Sequence, residues 1–318
     1  MAQASVLGPN EAHTLAKVRS KSIQKRIPTW ILGFASLLLS ATAAPRTAHA
    51  GAWTQNAGSG ELIGSYLHLS ATKLYGPDYR LVDLPARYEQ HVWATYVEIG
   101  AITRWLTVTL ESTLYRYNDF TDLGHTSGPG DAKIGLWTSL VVRPFHLSVG
   151  LLLGQPYGNP APAAGPDVND RAHARLLPTG DGETDLEIRV ALGKSFGGWR
   201  RWPLKHYAVA EFGYWARTAG FGQSFTYRME LGINLPWKII ERVWFLVRVL
   251  GTESLTDNAN VLPTPTGIGN GVAFTTIGGE VSIKLALGAG IAVGLDAPVR
   301  GRAIAAAPQV KLSLFQLW

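Results

Sequence analysis

The chain closes on "VKLSLFQLW", residues 310–318, and the reading of this stretch decides the fold. Val310, Leu312, Leu314 and Trp318 fall on one face of an extended segment, and Lys311 and Ser313 on the other. Chain ends are ordinarily polar and frayed. A strand that runs to the last residue needs a partner on both edges, or it leaves a row of unpaired backbone groups open to association. The segment therefore asks for a sheet that closes on itself.

The same alternation recurs upstream. In 105–115, Leu106, Val108, Leu110 and Leu114 oppose Thr107, Thr109, Glu111 and Thr113. In 131–142, Ile134, Leu136, Leu140 and Val142 oppose Asp131, Lys133 and Ser139. In 185–193, Leu186, Ile188, Val190 and Leu192 oppose Asp185, Glu187 and Arg189. In 242–249, Val243, Phe245, Val247 and Val249 oppose Arg242 and Arg248, and in 273–285, Ile277, Val281, Ile283 and Leu285 oppose Glu280 and Lys284. Weaker segments at 60–70, 90–101, 146–155, 205–216, 223–234, 287–296 and 308–318 bring the total to about twelve strands, each near the ~9–11 residues of a tilted membrane strand. Short turns at 103–104, 143–145, 235–238 and Leu287, with an intermediate one at 197–203, alternate with longer connections at 71–87, 117–130, 156–182 and 252–270 and smaller ones near 217–222 and 298–306.

This pattern predicts an all-β fold: a transmembrane, antiparallel, up-and-down β-barrel. In hydrocarbon every backbone N–H and C=O must be paired within the protein, and a closed sheet achieves that without an edge. A soluble β-sandwich or lipocalin-like barrel also alternates, but it turns its apolar face inward. Charges on the minority face of many strands fit a wet lumen. Trp93, Trp105, Trp137, Trp199, Trp202, Trp215, Trp237 and Trp244 sit near strand ends, where interfacial girdles are expected.

The N-terminus carries Lys17, Arg19, Lys21, Lys25 and Arg26, then the uncharged "WILGFASLLLSATAA" (30–44), then Ala48-His49-Ala50 before Gly51. A basic region, an apolar core and an A-x-A site predict a signal peptide over 1–50, removed to leave an outer-membrane barrel over 51–318. The apolar stretch falls short of the ~20 residues that a membrane anchor needs. Of 29 basic and 23 acidic residues, six basic and one acidic lie in 1–50, which leaves 23 and 22 and a net charge of +1. The high isoelectric point thus belongs largely to the leader and gives no reason to expect a nucleic-acid partner. There is no cysteine, so disulfides, an N-terminal lipid-modified cysteine and thiolate zinc sites are excluded.

Two glycine–aspartate stretches stand out, "GPGDAKIGLW" (128–137) and "LPTGDGETDLEI" (177–188). With "VEIGAITRWLTVTLES" (97–112), they resemble the outer-membrane family known from meta-pathway phenol degradation. The matching positions are Gly128, Gly130 and Asp131, then Pro178, Thr179, Gly180, Gly182 and Asp185. The resemblance implies a channel for aromatic or other hydrophobic compounds and brings no catalytic residues with it. Physically, glycines at a barrel rim permit bends and bulges, and the aspartates there would cap backbone groups or pair with a lumenal cation. Asp181, Glu183 and Asp185 start like an EF-hand loop, but Leu186 and Leu192 stand where that loop needs Gly and Glu.

The polar face supplies the candidate lumen and rim residues: Glu98, Glu111, Asp131, Asp185, Glu187, Glu211, Glu230 and Glu280, with Lys133, Arg189, Arg228, Arg242, Arg248, Lys284 and Lys311. In a barrel narrower than the 16- to 18-stranded porins, such charges either pair into a rigid plug or flank a selective path. His125 with Ser127, and His68 with Ser70, lack a nucleophile context, so no catalytic residue, metal site or cofactor is expected. The expectation is a monomeric bacterial outer-membrane channel for passive uptake of small hydrophobic or aromatic solutes. Its partners would be outer-membrane lipid, the barrel-assembly machinery, which reads a C-terminal aromatic, and the solute. The other readings are a structural or adhesive barrel with a plugged lumen, and a rim hydrolase.

Overall fold

A computed structural model describes residues 51–160, 177–196, 205–234, 242–256 and 264–318. The expected signal peptide and the turns at 197–203 and 235–238 lie outside the described residues. The chain folds into strands β1 (Gly60–Tyr75), β2 (Leu81–Ile102), β3 (Leu106–Phe120), β4 (Gly124–Gly128), β5 (Ala132–Val141), β6 (His146–Gln155) and β7 (Asp185–Phe196). It continues with β8 (Lys205–Arg217), β9 (Ser224–Asn234), β10 (Val243–Ser254), β11 (Ala273–Lys284), β12 (Ala289–Arg302), β13 (Ile304–Ala305) and β14 (Gln309–Leu317). Each strand pairs antiparallel with the next. The short β4 lies above β5 against β3, and β13 lies above β14 against β1. The wall is therefore a closed antiparallel barrel of 12 strands, of the outer-membrane type.

Closure happens where the C-terminal stretch demands it. β14 pairs with β12 on one edge and with β1 on the other, from Glu61 opposite Leu317 to Leu69 opposite Gln309. The ladder reaches the last residue: Gly60 N–H donates to the Trp318 carbonyl, and Trp318 N–H to the Gly60 carbonyl, each at 3.1 Å. No edge is left at the seam.

The faces divide as the alternation requires. Leu186, Ile188, Val190 and Leu192 point outward, as do Ile134, Leu136, Phe245, Val247, Ile277, Val281, Leu312 and Leu314. Between them, Glu98, Thr107, Thr109, Glu187, Glu211, Glu230, Arg248, Glu280 and Ser313 are buried inside the wall. An apolar exterior around a charged interior inverts a soluble barrel and matches a wall surrounded by lipid.

Two expectations are corrected. The connections at 71–87, 117–130 and 298–306 are much shorter than their composition suggests, because β1 climbs to Tyr75, β2 starts at Leu81, β3 reaches Phe120 and β12 reaches Arg302. Above the lipid both faces of a strand meet water, so the apolar alternation fades while the hydrogen-bond ladder continues. Of the girdle tryptophans, Trp93 and Trp105 are exposed on the outer surface. Trp137 instead lies in the lumenal cluster of Ala52, Leu152, Ala191, Tyr207 and Val209, and Trp244 packs against it. Trp215 points inward too, under Lys133 and Arg217.

Arginine in place of Ile188 or Val247, which are 48% and 57% exposed, is expected to cost about 2–4 kcal/mol near the bilayer midplane. Denaturant titration of the folded fraction in lipid vesicles, read from heat-modifiable gel migration, measures it. Wild-type stability in both variants would place those side chains on the inner face.

Candidate functional site

The lumen holds a few clusters of ion pairs. Glu187, on β7, is the best-partnered member. Arg189 grips both its oxygens, Nε to Oε1 at 2.8 Å and Nη2 to Oε2 at 2.9 Å, while Lys133 Nζ lies at 3.1 Å and Thr226 Oγ1 donates at 2.7 Å. Residues two apart on a strand share a face, which is why Glu187 and Arg189 meet. Arg189 Nη1 also reaches Glu111 on β3 and Glu211 on β8, both at 3.4 Å, and Lys133 reaches Asp185 at 3.3 Å. On the next staves Glu230 accepts from Arg228 (2.6 Å) and from the Tyr207 hydroxyl (2.7 Å). Farther round, Arg248 holds Asp296 through two bonds of 2.8 and 2.6 Å and Glu280 at 3.2 Å, and Lys311 also pairs with Glu280. Glu98 receives the Tyr96 hydroxyl (2.7 Å) and the Gln55 amide (2.8 Å). Bidentate, charge-assisted bonds of this kind fix side chains in place, and a buried charge is tolerable only when partnered so.

Most of the residues singled out from sequence are thus brought into a few lumenal clusters of paired charges. Arg242 and Lys284 are not. β10 begins at Val243, which leaves Arg242 exposed in the turn before it. The Arg242 carbonyl accepts from Lys284 N–H at 2.9 Å, and among the described residues neither side chain is placed in these clusters. Asp296, the bidentate partner of Arg248, escaped sequence reasoning. It stands on β12 just before Pro298, where the alternating pattern ends.

At the end that carries the long loops, the two glycine–aspartate stretches meet. The Asp131 carboxylate accepts from the backbone N–H of Gly158 (2.9 Å) and of Asp181 (2.6 Å). Asp181 in turn accepts from Gly269 N–H (2.7 Å) and pairs with Arg217 (2.8 Å), which also pairs with Glu183 and lies over the rings of Trp215 and Phe221. Leu177 is buried with Ala71, Tyr88 and Phe120, and its carbonyl accepts from Thr126 Oγ1 at 2.6 Å. Segments 177–184 and 264–270 are in this way tied across the inside of the mouth. Asp181 and Glu183, which begin like a calcium loop, are both taken by Arg217.

At the opposite end, residues 51–57 lie inside the barrel, a feature with no signal in hydrophobic periodicity. Ala52 is buried, and Trp53 packs edge-on against Tyr207 with ring centroids 5.9 Å apart. Thr54 Oγ1 bonds Ser139 Oγ (2.7 Å), and Gln55 N–H donates to Thr107 Oγ1 (2.8 Å). A Cβ on Gly100 would sit 2.0 Å from the Asn56 carbonyl oxygen, so only glycine lets the segment lie against β2 here. Its partners come from β2, β3 and β5 to β8, and the segment therefore crosses the lumen.

The two serine–histidine pairs do not converge. Ser70 Oγ accepts from Arg87 Nε (2.7 Å) while His68 stacks on His91 at 4.6 Å, and His125 packs on Tyr117 at 5.2 Å.

No family model matches the chain, and no curated protein matches it. Among solved structures, an outer membrane channel from Pseudomonas putida superposes with a TM-score of 0.57 at 14% identity, covering 86% of this chain and 100% of that chain. The β domain of a Bordetella autotransporter gives 0.42 at 11%, covering 81% and 98%. The first likeness is one of fold, and the second is too slight to add to it.

Burial pushes the Glu183 carboxyl up to about 7 against the pull of Arg217, with Asp181 and Asp185 pushing the same way. A carboxyl raised on folding contributes stability that is full below its unfolded value and is lost as pH rises through the folded one. The tie across the mouth should therefore loosen between about pH 4.5 and 7, and Glu183→Gln should flatten that slope. Hydrogen exchange at the Asp181 and Gly269 amides, corrected for intrinsic rates, checks this. A slope unchanged in Glu183→Gln would place its origin elsewhere.

Proposed function

We propose that the chain is a monomeric channel of the bacterial outer membrane through which small hydrophobic or aromatic solutes pass passively. One observation carries this reading. The inside of the wall is largely charged and hydrogen-bonded, and what crosses it are short segments, 51–57 and 177–184, each held by polar contacts and one small apolar cluster. Segments tied by hydrogen bonds and ion pairs can be displaced, whereas a packed apolar core cannot open without losing its burial.

The solute class rests on the resemblance of the glycine–aspartate stretches to the meta-pathway phenol-degradation family and is in keeping with the lining. Trp215 and Trp244 keep part of their rings exposed in the lumen, as Arg189 and Arg228 keep part of their guanidinium groups, while Trp137 and Tyr207 are buried. Aromatic faces and guanidinium groups together suit a small ring bearing a carboxylate or hydroxyl. The similarity to the P. putida outer membrane channel supports passage rather than catalysis. The last residues, with Trp318 at the seam, would be the segment the assembly machinery reads.

The test is planar-bilayer conductance of refolded 51–318 beside the same chain lacking 51–57. Discrete ohmic steps are expected, larger in the shortened chain, with current reduced by aromatic acids and not by neutral sugars of similar size. Clean insertion without conductance in both would favour a structural barrel with a plugged lumen.

A further inference from the structure

Glu211 sits on β8 with 6% of its surface exposed. Its Oε1 is shared with Arg189 at 3.4 Å. Its Oε2 is buried and, among the described residues, has no hydrogen-bond partner. A half-unsatisfied carboxylate in such a place is costly and calls for a donor. The neighbour at that oxygen is Gly51. A Cβ built on Gly51 would lie 2.9 Å from Glu211 Oε2, 3.1 Å from the Ala191 Cβ and 3.2 Å from the Trp137 ring. Gly51 is buried in the lumen, its φ is +64°, and its carbonyl accepts a hydrogen bond from Ser148 Oγ. Ala48-His49-Ala50 immediately before it is the small-residue pattern of a leader cleavage site.

We propose that the leader is cut between Ala50 and Gly51, and that the α-ammonium created there is the missing partner of Glu211, bolting segment 51–57 across the lumen. In the cut, water adds across the peptide bond. The C–N bond breaks, the water oxygen joins the acyl carbon, which leaves as the Ala50 carboxylate, and the nitrogen keeps its electron pair and takes both water protons to become the Gly51 ammonium. Before the cut that nitrogen is a neutral amide with one N–H; afterwards it is a cation with three donors. The charged groups facing the site are Glu211, Arg189, and through Arg189 also Glu111 and Glu187, the last of which Lys133 holds together with Asp185. Arg189 and Lys133 between them serve four carboxylates, Glu111, Asp185, Glu187 and Glu211, and a third cation brings the cluster closer to balance. Gly51 is suited to the position because a side chain would strike Glu211 and Trp137. Processing would thus arm the plug, since the bolt does not exist in the precursor.

The test uses the full chain expressed in a Gram-negative host and isolated folded from outer membranes. The N-terminus is read by intact mass, and its amine is acylated at pH 8 with a water-soluble reagent and followed by mass spectrometry of the N-terminal peptide. Gly51 is expected as the first residue, with acylation about ten-fold slower than in Glu211→Gln, as a charge-assisted bond requires. The chain with one alanine inserted before Gly51, which keeps Glu211 and Arg189 but moves the ammonium, should also lose protection, and it decides the matter if Glu211→Gln fails to assemble. A different N-terminal residue, or equal rates in wild type and the variants, would overturn the proposal. Neither readout depends on whether the barrel conducts.

Discussion

The structure depends on one constraint: a backbone that lies in hydrocarbon has nothing to bond with except itself. That constraint forces the sheet to close, and closure forces the first and last strands together. The paired bonds between Gly60 and Trp318 are therefore the seam of the whole barrel, and not a detail of a chain end. They explain why the chain alternates up to its last residues, with Val310, Leu312 and Leu314 outward against Ser313 inward.

Closure leaves an enclosed interior that the same strands must furnish with their other face. Because outward positions are given to aliphatic side chains, inward positions are free for polar ones, and these must then satisfy each other. Arg189 with Glu187, Arg228 with Glu230 and Arg248 with Asp296 do so in pairs of good geometry. Glu187 with Arg189 and Glu230 with Arg228 lie along single strands, while Arg248 with Asp296 and Arg189 with Glu111 reach across staves and brace the wall. The lumen is crossed instead by 51–57 at one end and 177–184 at the other, held by hydrogen bonds and by Ala52, Trp53 and Leu177 packed into apolar clusters.

The strand faces were legible because lipid imposes a strict period of two. Ile188 out and Glu187 in follow from the order of the residues alone. The inward charges were legible for the same reason. Heights were not: Leu81–Ile102 runs as one strand although its upper part, from Leu81 to Pro85, reads as loop. There water touches both faces, and the period carries no information. Trp215 and Trp244 lie near strand ends, which is compatible with a girdle, and Trp137 lies mid-strand, but the odd or even place of all three puts them inside. Parity outranks position here, and strict use of it would have found them. Segment 51–57 was beyond reach because its contacts are with six separate strands and none is local. Gly100, without room for even a methyl group, is the one trace it leaves on the wall.

The absence of cysteine from the natural sequence makes the central claim, a polar lumen inside a lipid-facing wall, open to direct measurement. Single cysteines placed along β14 at positions 310 to 314, with the protein folded in lipid vesicles, can be exposed to a small charged thiol reagent. The account predicts labelling of Lys311→Cys and Ser313→Cys and protection of Val310→Cys, Leu312→Cys and Leu314→Cys. Uniform labelling, or the opposite alternation, would contradict it.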